Sequence, residues 1–287
     1  MPPPAASSTA WRGAPRQRAS STDPAMPEGD TIARAAAVLH AALAGRVVTA
    51  FTSALAPVAA AHAAAPLTGR TVTAVTAHGK HLVMTFSGGV LLRSHLRMHG
   101  RWHLYRPGER WQTSPRAARL RLDTADWVAV GFDIHDAELA TATAPTDVAA
   151  LATLGPDLLA PAVDVPLVAG RITAEGARPV ADVLLDQRVL AGIGNVFRSE
   201  LLFLEGLDPR GPAAALAADR AASLVRRAVR LLRINARPGA ARRVTTGRLH
   251  PGEALWVYQR TGKPCRRCGT PIASYAELPL ARRVYWC

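Results

Sequence analysis

Apolar residues recur at helical spacing in the first strongly patterned stretch of the chain. Ile32, Ala36, Leu39 and Leu43 fall on one face over residues 31–43, the stripe of a helix packed on one side. Asp30-Thr31 offers capping chemistry at its start, and Gly45 ends the run. The pattern then shortens. Residues 47–51, 71–75, 82–86, 90–95, 102–104, 120–122 and 127–132 are short runs rich in β-branched, aliphatic and aromatic side chains, which read as strands. Gly88-Gly89 sits between two of them as a hairpin turn. A helix followed by closely spaced strands predicts a mostly antiparallel β domain, a sandwich, over residues 26–140.

The periodicity changes again after a Thr/Ala/Pro linker at 140–150 and the Gly155-Pro156 break. A short helix is expected at 180–187, a glycine turn at Leu190-Ala191-Gly192-Ile193-Gly194, a second helix at 195–204 and a long amphipathic helix from 213 to about 234. These define a helical domain over 150–240. A Pro/Gly/Arg stretch leads into a small terminal unit, 250–287. Residues 1–25 are rich in Pro, Ala and Ser without an apolar core. They read as a disordered extension, or as sequence upstream of a start at Met26. The expected fold class is α+β and multidomain.

Charge adds a partner to this picture. The 287 residues carry 35 Lys and Arg against 21 Asp and Glu, a net charge of +14, which suits a polyanion such as nucleic acid. No apolar run approaches the roughly 18 residues needed to span a bilayer. The three cysteines, Cys265, Cys268 and Cys287, all lie in the last unit. That is not a disulfide framework and points to a reducing, cytoplasmic setting.

Candidate chemistry sits at four places. Pro27 follows Met26 and precedes Glu28. As a first residue, Pro27 would carry a free secondary amine that attacks carbonyl-like carbon, with Glu28 beside it as proton donor. As an internal residue its nitrogen is a tertiary amide and inert. Lys80, in Gly79-Lys80 at a strand connection, can bind phosphate or move a proton. Asn195 opens a helix after a glycine turn, where backbone N–H groups face phosphate. Cys265-x2-Cys268 followed by a distant Cys287 is the spacing of a structural zinc site. Three ligands are present, and the fourth is expected about three residues beyond Cys287 or from elsewhere, such as His250. His95, His99 and His103 are four apart on a strand, about 13 Å end to end, too far for one ion.

In this order, Pro27-Glu28-Gly29-Asp30, Gly79-Lys80, Leu190-Ala191-Gly192-Ile193-Gly194-Asn195 and the Cys265/Cys268 unit resemble the formamidopyrimidine-DNA glycosylase/endonuclease VIII family, closer to its endonuclease VIII side in an actinobacterial-like form. The resemblance runs from residue 26 to the last cysteine. It implies an N-terminal helix with an antiparallel β-sandwich, a helix–two-turn–helix domain and a β-hairpin zinc finger. It also implies a bifunctional DNA glycosylase/AP lyase of base-excision repair, excising oxidised bases, pyrimidines foremost. Pro27 is then the nucleophile at C1′, Glu28 the acid that opens the sugar and Lys80 a phosphate contact that supports β-elimination. Asn195 grips phosphate, and Arg282 holds phosphates and is linked to δ-elimination. Met98 fills the gap left by the flipped base, a wedge of the kind that unstacked duplexes accept. Structural Zn2+, double-stranded DNA with damaged bases or abasic sites, a monomeric state and a nucleoid location follow from the same resemblance. The alternative is a non-catalytic binder of damaged or abasic DNA in which Pro27 stays blocked.

Overall fold

The computed structural model describes residues 27–142, 144–240, 242–250, 252–277 and 282–287; the expected extension at 1–25 lies outside them. The first unit opens with α1 (Gly29–Leu43), β1 (Val48–Ser53) and α2 (Ala56–Ala64). Seven further strands follow: β2 (Val72–His78), β3 (His81–Phe86), β4 (Val90–His95), β5 (Arg101–Tyr105), β6 (Ala118–Thr124), β7 (Val128–Phe132) and β8 (Asp136–Thr141). The strands form two four-stranded sheets, ordered β1-β6-β7-β5 and β2-β3-β4-β8, with every pair antiparallel.

One core fills the space between the sheets. Val48, Phe51, Leu120 and Leu122 come from one sheet, and Val72, Leu82, Met84, Phe86 and Leu92 from the other. Ile32, Ala36, Leu39 and Leu43 of α1 join the same core. Burying an aliphatic or aromatic side chain of this kind contributes about 1.5–3 kcal/mol. The outer face of the second sheet is covered by the chain that leaves β8, where Val83 and Leu91 pack on Val148 and Leu151.

The second unit contains α3 (Ala149–Ala152), α4 (Val165–Thr173), α5 (Val180–Leu185), α6 (Asn195–Glu205) and α7 (Ala218–Asn235). Its separate core is built from Val168, Ile172, Val183, Leu184, Phe197, Leu201, Leu224 and Leu232. The long helix begins at Ala218, five residues later than its apolar pattern suggested, because Ala213–Ala215 forms a 3-10 turn. The last unit is a hairpin of β9 (Ala273–Glu277) and β10 (Arg282–Trp286), with Arg282 opposite Glu277.

A single buried carboxylate ties the chain after α7 to α6. Glu200 is fully buried. It accepts from the backbone N–H groups of Trp256, Val257 and Tyr258 at 2.8–2.9 Å and from the Thr245 hydroxyl. The N–H groups are those of a loop, and the anion gives them a partner away from water. β10 then packs on α6, with Tyr285 N–H 3.4 Å from Ser199 Oγ. No helix among the described residues is long and apolar enough to cross a membrane.

Candidate active site

The glycine turn between α5 and α6 gathers several of the candidate residues. Gly29 N–H donates to the Gly192 carbonyl at 2.9 Å. A Cβ on Gly29 would stand 3.0 Å from both Cα and O of Gly192, so the two backbones touch. Gly79, on the β2–β3 turn, approaches the same segment. Its own Cβ position is 3.0 Å from Ala191 Cβ. The start of α1 and the Lys80 turn therefore both rest on residues 191–192.

Glu28 is the tightest element of this arrangement. It is 1% exposed, and its carboxylate accepts from Gly194, Val196 and Phe197 N–H at 3.0, 2.7 and 3.2 Å. These are the orphan donors at the start of α6, which has no side-chain cap of its own. A remote acid thus caps the helix and meets the positive end of its dipole. The expectation that Asp30-Thr31 caps α1 is corrected here: α1 begins at Gly29, and Asp30 lies in its first turn. Asp30 is fully buried and binds Arg243 through two hydrogen bonds of 2.9 and 2.6 Å.

Lys80 follows Gly79, which adopts a left-handed φ of 57°. Gly79 N–H donates to Asp157 Oδ2 at 2.8 Å, and Asp157 Oδ1 holds Leu159 N–H at 2.8 Å. The lysine-bearing turn is pinned to the entrance of the helical unit. Burial pushes the Lys80 ammonium down to about 8, against an ordinary 10.5. Glu28 raises it, and Arg282, Arg243 and Arg198 lower it further. A lysine in this range changes charge near neutral pH, as proton-transfer chemistry requires.

Asn195 is buried, and both ends of its carboxamide are engaged. Its nitrogen donates to Arg283 O at 3.2 Å and its oxygen accepts from Arg198. It joins α6 to the terminal hairpin, one residue from Arg282. Tyr258, which hydrogen-bonds Asn195, has its phenol pushed up by burial and by the Glu28 charge, so it keeps its proton. Met98 stands apart from this cluster, half-exposed in the tight turn between β4 and β5. His81 pairs with His95 across β3 and β4, so Lys80 and Met98 emerge at the same end of the sheet. Both histidines are held neutral, near 3 and 4, first by burial and then by each other or by Arg97. Arg97, beside Met98, has φ 51° and bonds Asp136 at 2.5 and 3.0 Å.

The three cysteines form the described group able to hold a metal ion. Their sulfurs lie within 4.8 Å of one another, with Cys268 and Cys287 3.4 Å apart. His250 is not part of that group. Sulfurs bound to one tetrahedral zinc at about 2.3 Å stand a little under about 4 Å apart, so the set fits three of four corners.

Arg243, Asp157, Glu200 and Tyr258 were not among the residues singled out in the sequence. Only Asp157 carried a local signal, directly after the Gly155-Pro156 break.

A helix-capped sandwich resting on a glycine turn, with an acid and a depressed lysine in the join and a cysteine hairpin beside them, defines a class. The chain belongs to the formamidopyrimidine-DNA glycosylase family, which includes the endonuclease 8 proteins. Its residues 26–137 match the formamidopyrimidine-DNA glycosylase N-terminal domain, and 154–243 match the H2TH domain of the same family. A probable endonuclease 8 2 of Streptomyces coelicolor is 43% identical over 91% of this chain and 92% of its own length. The DNA-(apurinic or apyrimidinic site) lyase Nei2 of Mycolicibacterium smegmatis is 39% identical over 91% and 97%. The Lactococcus lactis glycosylase Fpg, solved with DNA containing an abasic site, shares the fold with a TM-score of 0.75 at 21% identity, over 91% and 97% of the two chains.

Two outcomes follow from the geometry. A Cβ on Gly194 would lie 2.4 Å from Glu28 Cδ and Cγ, so Gly194→Ala must displace the acid. A shift of about 1 Å at a reacting group costs about 100-fold in rate, and single-turnover assays of the variant should show a loss of that order. Wild-type rates would mean that the placement of Glu28 does not matter. The second concerns stability. The unfolded chain binds more protons than the native state between about pH 8 and 10.5, so the native penalty is full below 8 and fades as pH rises. Lys80→Met should therefore be more stable than the parent to urea at neutral pH, with a gap that narrows toward pH 10.5. Equal stabilities at neutral pH would show that Lys80 carries no such penalty.

Proposed function

We propose that the protein is a bifunctional DNA glycosylase/AP lyase of base-excision repair that works through an imine on Pro27. The observation that carries this reading is the join at residues 191–194, which seats Pro27-Glu28 and Gly79-Lys80 on one backbone segment. Relatives named endonuclease 8 share 32–43% identity with the chain. That supports oxidised bases as substrates, pyrimidines foremost.

The chemistry requires Pro27 to be the first residue of the working protein, exposed by a start at Met26 or by processing. Its nitrogen lone pair then forms a bond to C1′ of the damaged nucleoside, and the glycosidic electron pair leaves with the base. The Glu28 carboxylate takes the N–H proton that Pro27 loses on attack and passes it to the ring oxygen as the sugar opens, giving an iminium at C1′, while the departing base takes a proton from water. The iminium acidifies the C2′ proton. In this reading neutral Lys80 removes that proton, and the 3′ phosphate departs with its electron pair as the strand breaks. On this reading Arg282 meets the phosphates on the hairpin side, and Asn195 acts from the start of α6, where its carboxamide holds that hairpin through Arg283. Met98 enters the gap left by the extruded base. The basic surplus supplies affinity through phosphate contacts, which weaken as salt rises.

The reading divides the chain into a catalytic unit at 26–140, a DNA-gripping helical unit at 150–240 and a finger at 250–287, acting as a monomer in the nucleoid. Cys265, Cys268 and Cys287 hold a structural zinc ion in the finger, where thiolates and tetrahedral geometry suit that metal. The ion staples the hairpin and takes no part in bond breaking.

Borohydride trapping on an abasic duplex tests the reading. Protein whose first residue is Pro27, verified by intact mass, is expected to form a covalent adduct, and Pro27→Ala is expected to abolish most of it. Binding without any adduct would transfer the assignment to a non-catalytic reader of damaged DNA. For the finger, elemental analysis should give one zinc per chain. Cys265→Ser should lose the metal and weaken DNA binding while leaving the sandwich folded. Full metal occupancy in that variant would contradict the ligand assignment.

A further inference from the structure

One buried cation beside Glu28 has no part in the steps above. Arg243 lies in the chain that follows α7 and is 8% exposed. The next residue, Val244, is fixed by Asn235, the last residue of α7. The Asn235 carboxamide accepts from Val244 N–H at 2.7 Å and donates to Val244 O at 2.9 Å. From there the Arg243 side chain runs toward the start of α1. Nε and Nη2 each meet one oxygen of Asp30, and Nη2 also reaches Thr31 Oγ1 at 3.3 Å. Its guanidinium carbon stands 4.9 Å from the centre of the Phe197 ring. The remaining nitrogen, Nη1, is buried without a hydrogen-bond partner and lies 3.9 Å from Glu28 Oε1.

We propose that Arg243 is a positioning residue for the nucleophile and its acid, setting where α1 begins through Asp30 and holding a fixed positive charge beside Glu28. The proposal rests on the imine reading above. Three features separate this from an ordinary buried ion pair. The fork-to-carboxylate pairing with Asp30 constrains direction as well as distance, and Asp30 is two residues from Glu28 and three from Pro27. A buried N–H without an acceptor is a cost that a purely structural pair avoids by turning outward or by taking another partner. And that N–H faces the acid. The charge stays on Arg243 although burial opposes it, because Asp30 and Glu28 outweigh the burial.

The same charge acts on Lys80. The groups that face the lysine are Glu28 ahead of α1, Arg198 on α6, Arg282 on β10, His95 at the end of β4, and Arg243. Arg243 is among those that lower the lysine. Its removal raises Lys80 above its present position near 8, so proton abstraction by the neutral amine needs a higher pH.

The test uses the full protein with a free Pro27. Arg243→Gln, Arg243→Lys and the double isostere Asp30→Asn/Arg243→Gln are compared with the parent on one abasic duplex. Borohydride trapping and strand cleavage are followed in single turnover from about pH 6 to about pH 9.5, with Kd measured separately. Arg243→Gln and the double variant should trap about 10- to 100-fold more slowly with little change in Kd, and their cleavage midpoints should move to higher pH. Arg243→Lys should keep the parental midpoint while losing rate. Parental rates and an unchanged midpoint in Arg243→Gln would overturn the proposal. A rate loss that only tracks weaker binding, or variants that no longer melt as folded proteins in both the single and the double isostere, would assign Arg243 to stability alone and overturn it equally. No adduct from the parent would sink the imine reading itself, an outcome distinct from either.

Discussion

The structure depends on one carboxylate bonded to a helix it does not belong to. Glu28 closes the start of α6 with three backbone hydrogen bonds, and α6 has no other side-chain cap. The helix needs an acceptor, and the acid needs donors to be buried at all. Each need is met by the other unit. Such mutual dependence makes the relative position of the sandwich and the helical unit specific, where an apolar contact alone would allow sliding. It also explains the glycines. Gly192 and Gly29 let two backbones meet, and Gly194 leaves room for the Glu28 side chain itself. A side chain at Gly29 or Gly194 would press apart elements whose contact is the site, and one at Gly192 would be strained by its φ of 110°.

Much of this was legible along the chain, and the rest was hidden for physical reasons. The stripe of α1, the hairpin at Gly88-Gly89 and the helix opening at Asn195 all depend on local spacing, and local spacing is what a sequence displays. α2 was missed because APVAAAHAA buries only Val58 and shows no stripe. β8 was missed because Asp136 and Glu138 look like a loop. They are tolerated on a strand because Arg93, across the ladder on β4, pairs with both. The Asp30–Arg243 pair spans 213 positions, and no local pattern links residues so far apart. Asp30 looked like a cap because Asp at a helix start usually is one. Here the true N-cap residue, Glu28, spends its side chain on another helix.

The finger is held by the same logic at its other end. Glu200, five residues into α6 from Asn195, fixes the loop at 256–258, and Asn195 itself bonds β10 at Arg283. One helix thus carries Glu28 at its start, Asn195 in its first turn and Glu200 in its middle. Its hydrogen bonds set the positions of Arg282 and of the Pro27-Glu28 pair together. On the proposed function, α6 thereby holds the candidate nucleophile Pro27 and the candidate phosphate contact Arg282 in one frame.

Charge balance around the join follows from what the site must receive. Lys80 lies in the field of Glu28, Arg198, Arg243 and Arg282, and Asp30 pairs with Arg243, so four cations, the lysine included, meet two carboxylates. Burial is the larger cause that brings Lys80 down to about 8, and the arginines around it lower it further. On the proposed function, DNA phosphates enter this field and offset the arginines, which moves the lysine back toward its protonated form. The free protein thus holds a lysine able to give up its proton, and bound phosphate opposes that release. Elimination expels a phosphate from the site, which weakens the opposition as the bond breaks.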